Sequence, residues 1–163
     1  MTQRTSGYDT LMIGALLTIP TQVIGRRVAA AVVEQGFTDY RLTYQPVFQW
    51  CRAEGSRLTE LAERAGVTKQ SMGELIDVLE RRGYVERVPD PTDGRAILIR
   101  HTLRGWEINR IARQIVEQVQ QEWALALGQE RFSSLIDTLR QLALVLDEPT
   151  GAAHPEAHMP PGR

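Results

Sequence analysis

The chain has 163 residues, of which 42% are hydrophobic, and its formal net charge is −1. This length fits one domain, or one compact unit with an extension. Because a nearly neutral chain is not a general polyanion binder, any contact with nucleic acid must come from a local basic surface. A single cysteine excludes an intramolecular disulfide framework, which suits the cytoplasm, and we expect no stretch long and apolar enough to cross a membrane.

The N-terminal part of the chain is predicted to be one apolar helix. It is helix-compatible from Asp9 to Gln35, and Asp9 is its candidate N-cap. Pro20 cannot donate a helical N–H, so we expect a kink or a break near Ile19. Because a helix this apolar needs a partner surface, it belongs either in a core or in a dimer interface.

A short second helix is predicted after a connector. Thr43 is its candidate N-cap, the helix spans residues 44–53, and Pro46 lies in its first turn, where proline is tolerated. Ser56 and Arg57 are then expected to form a short strand-pairing segment.

The stretch that follows is predicted to be two helices joined by a tight turn. The first spans residues 58–65 and ends at Gly66, which supplies the left-handed conformation that a helix C-terminus often needs. Thr68 is the N-cap of the second helix, since its hydroxyl can accept a hydrogen bond from an unpaired backbone N–H. The second helix ends at Gly83 and buries one apolar face, formed by Met72, Leu75, Ile76 and Leu79. This is a helix-turn-helix arrangement, whose second helix can lie in a DNA major groove.

Two short strands are predicted directly after the second helix. Residues 84–88 alternate as YVERV, residues 96–99 form an apolar branched run, and the segment between them, PDPTDGR, has the composition of a hairpin loop. A hairpin with a cationic tip after a recognition helix is a wing, and Arg95 is that cation.

Two long helices complete the pattern, one from Arg104 to about Leu127 and one from Gln129 to Leu146. The last helix carries one apolar side, formed by Phe132, Leu135, Ile136, Leu139, Leu142, Ala143 and Leu146.

The tail is rich in Pro, Gly and Ala without periodicity and is predicted to be disordered. His154 and His158 have the spacing of helical metal ligands, but Pro155 lies between them, so no metal site is expected.

Three segments resemble the MarR family of bacterial winged helix-turn-helix regulators, namely LTELAERAGVTKQSMGELIDVLERRGYVER, DPTDGRA and HTLRGWEI. The resemblance implies a mainly α fold with a small β-hairpin wing, in which a winged helix-turn-helix is joined to a helical dimerisation layer. It also implies a homodimer that binds a palindromic DNA site and usually represses transcription. Glu74, where many relatives are basic, and His101, in place of a common Leu, depart from the family pattern.

The resemblance divides the chain into four parts. They are the N-terminal helix of the dimerisation layer (1–42), the winged helix-turn-helix (43–103), the C-terminal dimerisation helices (104–147) and the tail (148–163).

The start and outer face of the recognition helix are predicted to meet base edges and nearby phosphates. These residues are Thr68, Lys69, Gln70, Ser71, Gly73, Glu74 and Asp77. Gln can pair with adenine and Glu can accept a hydrogen bond from cytosine N4. Glu74 also repels phosphate, so it would contribute more to the sequence specificity of DNA binding than to its affinity. The alternative is a merely solvated helix face.

The wing is the second predicted contact, with Arg95 in the minor groove. In the family an Asp-x-Arg pair holds the arginine extended through an ion pair, and Asp93-Gly94-Arg95 matches it; alternatively, Asp93 only shapes the turn. Arg81 and Arg87 are candidates for backbone phosphate contacts, or are solvated charges.

The resemblance also suggests a pocket for a small aromatic or amphipathic effector between the winged helix and the dimerisation layer. Candidates by position are Leu16, Ile19, Tyr44, Trp50 and Trp106, although aromatic side chains at helical spacing are more often core.

Other functions receive less support from the sequence. Cys51 invites a redox-sensing hypothesis, but without a neighbouring cation it is better explained as a buried, inert thiol. A winged helix used only for protein contacts would need a neutral or apolar face, which Lys69, Gln70 and Arg95 contradict. We find no phosphate loop, nucleophile elbow or ligand cluster, so neither an enzyme nor a cofactor is predicted.

Overall fold

The structure, a computed structural model, describes residues 12–146, so the predicted Asp9 cap and the predicted disordered tail lie outside the described residues. It is mainly helical with a small antiparallel sheet, as predicted. The elements in chain order are α1 (Ile13–Glu34), a 3₁₀ turn (Leu42–Tyr44), α2 (Gln45–Trp50), β1 (Ser56–Arg57), α3 (Leu58–Ala65), α4 (Lys69–Arg81), β2 (Val85–Asp90), β3 (Asp93–His101), α5 (Leu103–Leu127) and α6 (Gln129–Leu146).

Pro20 lies inside α1 and does not end it, so the predicted break near Ile19 is wrong. Proline removes one helical hydrogen bond, and this loss is tolerable here because the residue four positions earlier, Leu16, is exposed and its carbonyl can be hydrated. On either side of the proline, the hydroxyls of Thr18 and Thr21 donate to backbone carbonyls at 2.7 and 2.9 Å.

The expectation that no stretch could cross a membrane is also wrong for α1. Its 22 residues have a mean hydropathy of 1.3, which is long and apolar enough by length and composition alone. A helix that packs against protein meets the same criteria. The C-terminal half of α1 packs on α5. There the two terminal nitrogens of Arg27 form a bidentate ion pair with the two carboxylate oxygens of Glu122, at 2.5 and 2.7 Å.

The second helix differs from its prediction at both ends. Its N-cap position is Tyr44 and no side chain caps it, so the Thr43 cap is wrong, although Pro46 does lie in the first turn. The helix ends at Trp50 because Cys51 is extended and its thiol donates to the Ile99 carbonyl of β3 at 3.2 Å. The residue that follows this helix therefore contacts a partner 48 positions away along the chain, which the local sequence does not reveal.

The helix-turn-helix follows its local signals closely. Gly66 adopts the left-handed conformation after α3 (φ 65°, ψ 30°). The Thr68 hydroxyl accepts the Ser71 N–H at 3.1 Å, as an N-cap does. The inward face of α4 is fully buried at Met72, Ile76 and Leu79.

The sheet has the strand order β1–β3–β2, with both pairings antiparallel. Ser56 of β1 pairs with Ile99, which confirms the short pairing segment before α3. The wing hairpin is longer than predicted, because β3 begins at Asp93 and only Pro91 and Thr92 remain as its turn. Arg95 is consequently a strand residue near the tip of the wing.

The core joins the winged helix to α1 and α5. Its fully buried side chains include Val32, Val47, Leu61, Met72, Tyr84, Ile99, Ile108 and Ile111. Beyond this core, the helical layer leaves much apolar surface uncovered. Of the predicted apolar side of α6, only Phe132 is buried. Exposed large apolar residues of the layer include Met12, Ile13, Leu16, Leu17, Leu127, Leu135, Leu142, Leu144, Val145 and Leu146.

Candidate nucleic-acid interface

One side of α4 faces away from the core and forms a strip that we call the groove face. It consists of Gln70, Gly73, Glu74 and Asp77, whose spacing of i, i+3, i+4 and i+7 places them on one side of a helix. The three side chains are exposed. Gly73 has a helical backbone, and a Cβ added there would meet nothing within 4 Å.

The polar residues at the start of α4 are linked to one another. The hydroxyls of Thr68 and Ser71 lie 2.9 Å apart, and Thr68 also caps the helix. The Gln70 side-chain amide donates to a carboxylate oxygen of Glu74 at 3.2 Å. Because an ionised carboxylate only accepts hydrogen bonds, the amide must present its NH₂ group to Glu74 and turn its oxygen elsewhere.

Arg87 of β2 is bound by two carboxylates of α4. It lies 2.6 Å from Asp77 and also forms an ion pair with Glu80. Both carboxylates raise the pKa of the Arg87 guanidinium. Arg87 and Asp77, both predicted as DNA contacts, therefore neutralise each other in the free protein and fasten the recognition helix to the wing.

The tip of the wing is held by two residues that the sequence interpretation missed, Arg57 and Asp90. Asp90 is 7% exposed and accepts hydrogen bonds from the Thr92 hydroxyl and N–H at 2.7 and 2.9 Å and from Arg57 at 2.8 Å. These partners lower the pKa of the Asp90 carboxyl to about 2. An Asp two residues before a Thr is a recognisable turn signal. The Arg57 contact has no local signal, because 33 residues separate the partners.

The predicted ion pair between Asp93 and Arg95 is not formed. One Asp93 oxygen accepts the backbone N–H of Arg95 at 3.2 Å, and the other lies 3.3 Å from Arg57. Asp93 thus shapes the turn, which was the alternative interpretation. The Arg95 side chain is exposed and, in the part of the chain that the structure describes, makes no ion pair.

Some charged side chains of this surface have ion-pair partners and others have none. Lys69 and Arg81 of α4 and Arg95 of the wing are exposed and have no ion-pair partner within residues 12–146. Asp77 and Glu80 are neutralised by Arg87, whereas the one side-chain partner of Glu74 within residues 12–146 is the neutral Gln70. The surface therefore presents free cations at its edges and one uncompensated carboxylate on the groove face.

A polar cluster around Asp39 joins the winged helix to the helical layer. Asp39 accepts a hydrogen bond from the Tyr84 hydroxyl and lies 3.7 Å from Arg82 and 3.4 Å from Arg104. Burial opposes its ionisation, but the hydroxyl and the two cations outweigh burial and lower its pKa. The Arg104 guanidinium also lies over the Tyr84 ring, 4.9 Å from its centroid. The start of α5 is consequently tied to the end of α4 and to the start of the wing.

His101 is buried at the junction of β3 and α5. Its ring stacks on Phe48 at 5.2 Å and meets the edge of Trp106 at 5.3 Å. Neither ring nitrogen has a hydrogen-bond partner among the described residues. The nearby Tyr84 carbonyl already accepts from the Thr102 N–H and hydroxyl, at 3.1 and 3.2 Å. Burial lowers the pKa of the imidazole to about 4, against a smaller opposing effect of that carbonyl.

Cys51 has the surroundings of an inert thiol. It is buried, and burial, together with the charges of Glu54 and Glu60, raises its pKa to about 12. A thiolate is the reactive form of cysteine, so this environment disfavours redox sensing.

The predicted effector residues lie in different surroundings. Tyr44 is buried with its ring edge-on to Tyr40 at 5.8 Å, whereas Trp50 has the Arg64 guanidinium 5.4 Å above its ring. Trp106 contacts His101, and Leu16 and Ile19 are exposed on α1. A shared pocket for these five residues stays a prediction.

Comparison with known proteins gives concordant results. A sequence profile of the MarR family matches residues 51–96. The HTH-type transcriptional regulator YdcH of Bacillus subtilis (strain 168) is 30% identical over 129 residues, which cover 77% of this chain and 88% of YdcH.

Solved structures agree with this match over nearly the whole chain. The crystal structure of CouR from Rhodococcus jostii RHA1, bound to p-coumaroyl-CoA, aligns with a TM-score of 0.65 at 26% identity, covering 91% of this chain and 99% of CouR. A MarR-family transcriptional regulator from Rhodococcus sp. RHA1 aligns with a TM-score of 0.62 at 27% identity, covering 85% and 95% of the two chains.

Proposed function

Because this chain belongs to the MarR family of transcriptional regulators, we propose that it binds an inverted-repeat DNA site as a homodimer and represses transcription until a small-molecule effector releases it. As a member of this family it is a DNA-binding regulator and not an enzyme. Each subunit would place α4 in a major groove and its wing in the flanking minor groove. Two-fold symmetry then predicts half-site centres about one helical turn apart.

The exposed Arg95 is the observation that carries this proposal. Arg57, Arg87 and Arg100 of the same sheet all pair with carboxylates, whereas Arg95 is exposed near the tip of the wing without an ion-pair partner in the described part of the chain. A narrow minor groove concentrates negative potential and attracts such a guanidinium. Arg57 and Asp90 support the role by holding the turn beside Arg95 at the tip of the wing.

The homodimer is supported by the exposed apolar surface of α1 and α6. Single apolar side chains on a surface are ordinary, but so many exposed large apolar residues on two helices of one layer favour an interaction surface. A second copy of the same layer is the simplest partner that would cover it.

Effector release is supported by the family and by CouR, whose crystal structure contains p-coumaroyl-CoA. We place a small aromatic or amphipathic effector near Leu16, Ile19, Tyr44, Trp50 and Trp106. Its binding would alter the spacing of the two winged helices and shift the dimer toward a form that cannot hold both half-sites. Unchanged operator affinity across a broad panel of aromatic acids and their thioesters would contradict this step. Since a repressor acts on the chromosome, we expect the protein in the cytoplasm.

Fluorescence anisotropy with DNA from upstream of its own gene tests the proposed function. Over 50–200 mM salt we expect a specific site with a steep salt dependence, because bound Lys and Arg release counterions. Arg95→Ala should weaken binding by about tenfold and reduce the salt slope by about one. Arg131→Ala, which removes an exposed cation from α6, is the matched control and should bind like the wild type.

Two outcomes would contradict parts of the proposal. Wild-type affinity in Arg95→Ala would remove the wing from the mechanism. If the folded dimer bound no inverted repeat at all, a winged helix used for protein contacts would become the better explanation.

A further inference from the structure

The groove face carries a negative charge where it would meet a negatively charged molecule. Three carboxylates lie along the outward side of α4, and two of them, Asp77 and Glu80, are neutralised by Arg87. The third, Glu74, has no cation partner in the described chain and accepts only from the Gln70 amide. If this carboxylate contacted DNA without a hydrogen-bond donor, it would lose its hydrating water and repel the phosphates. The DNA site must therefore supply a hydrogen-bond donor.

Resting on the DNA-binding function proposed above, we propose that Glu74, oriented by Gln70, reads a cytosine in each half-site by accepting a hydrogen bond from its N4 amino group. Glu74 would thereby be a specificity-determining residue of the recognition helix.

The chemistry of the base edges favours cytosine over the other three bases. In the major groove guanine presents two acceptors, and thymine presents an acceptor and a methyl group, so both leave a carboxylate without a donor. Adenine offers the N6 amino group, but its N7 acceptor lies beside it and repels a carboxylate. Cytosine presents the N4 donor with no acceptor of its own on that edge.

Gln70 strengthens this preference. Since its NH₂ group faces Glu74, its carbonyl oxygen is directed away, and the pair presents acceptors to the groove. The amide also restrains the Glu74 side chain, which lowers the entropy lost when the carboxylate meets a base.

Gly73 gives the pair access to the base edges. It lies beside Glu74 on the groove face, and the space around its missing Cβ is open to at least 4 Å. Glycine at the interior of a helix destabilises that helix and is used where another molecule approaches the backbone closely. At Gly73 no packing within the described chain requires it.

The test is selection of DNA sites from randomised duplexes by the full-length protein, followed by sequencing. The wild type, Glu74→Gln and Glu74→Ala are compared at matched salt. Glu63→Gln is the control, because it removes the same charge from an exposed position on α3, outside the groove face. Circular dichroism establishes that each variant is folded.

We expect the wild type to select an inverted repeat with cytosine at one position of each half-site. Glu74→Gln should shift that position toward adenine, since Gln pairs with adenine N6 and N7, and change the C-to-A preference by about tenfold or more. Glu74→Ala should lose the preference at that position alone, and Glu63→Gln should keep it.

Identical base preferences in the wild type and both Glu74 variants, at every position of a selected repeat, would overturn the Glu74 assignment and leave the regulator intact. A wild type that enriched no inverted repeat would overturn the proposed function as well.

Discussion

At the scale of single residues, we expect a substitution at Gly73 to change protein stability and DNA binding in opposite directions. Its helical backbone and open surroundings mean that alanine fits the free protein without strain. Replacing an interior helical glycine by alanine usually stabilises a protein by about 0.5–1 kcal/mol. We therefore predict that Gly73→Ala raises the free energy of unfolding in urea by this amount while weakening DNA binding by about tenfold, because its methyl group lies between the helix and the base edges.

Gly14→Ala provides the comparison for this prediction. Gly14 is also helical with no neighbour near its missing Cβ, but it belongs to α1. Because Gly14 lies on the helix proposed for dimerisation, light scattering first establishes that this variant is a dimer, and it should then keep wild-type affinity for DNA. If Gly73→Ala bound the selected site as tightly as the wild type, the close approach of α4 to DNA would be refuted.

His101 makes folding sensitive to pH in a defined window. The imidazole is neutral in the folded protein, where its pKa is about 4, and protonates near the ordinary value of 6.5 when unfolded. Below pH 6.5 the unfolded state therefore binds a proton that the folded state does not, so stability falls as the pH falls. We predict a loss of about 1.5 kcal/mol between pH 6.5 and pH 5, measured by urea denaturation.

The variant His101→Leu identifies the source of this pH dependence. It removes the unpaired imidazole and keeps the other two histidines of the sequence. Most of the slope between pH 6.5 and pH 5 should disappear. Asp90, with its pKa of about 2, contributes only below the ordinary carboxyl value of 3.8 and lies outside this window. A slope equal to that of the wild type would show that His101 is not its source.

At the scale of elements, the sequence predicted what short-range signals determine. The bounds of α3, Gly66 as its end and Thr68 as the N-cap of α4 were all correct, because each depends on residues within one turn. Thr43 has the same chemistry as Thr68 but caps nothing, since a 3₁₀ turn and Tyr44 occupy the start of α2.

Contacts between residues of different elements could not be predicted from the sequence. The pairing of Arg57 with Asp90 and that of Arg87 with Asp77 join residues that only the fold brings together. The unpaired nitrogens of His101 are another such feature, because they depend on the groups of α2 and α5 that surround the ring. The sequence therefore placed these residues on their helices and strands but did not give their ion-pair partners.

The link between α4 and the wing leads to a prediction about Arg87. If this guanidinium acts by neutralising α4, Arg87→Ala exposes Asp77 and Glu80 to the DNA phosphates and weakens binding by about tenfold. The double variant Arg87→Ala, Asp77→Asn should then recover a large part of the loss in anisotropy titrations. Without such recovery, Arg87 would instead contact a phosphate directly.

At the scale of the whole molecule, the uncovered surfaces are of two kinds. The helical layer exposes apolar side chains of α1 and α6, whereas the winged helix exposes Lys69, Arg81 and Arg95 around the groove face. The apolar surface suits a second copy of the chain, and the cationic surface suits DNA. Since Asp39 and Arg104 tie the winged helix to α5, the dimer would fix the distance between its two recognition helices.

If one homodimer occupies one inverted repeat, the molar mass of the protein–DNA complex must correspond to two chains on one duplex. Light scattering on a duplex that carries the selected repeat counts the chains bound to each duplex. We predict two chains per duplex at saturation, with no stable complex of one chain. A complex with one chain per duplex would contradict it.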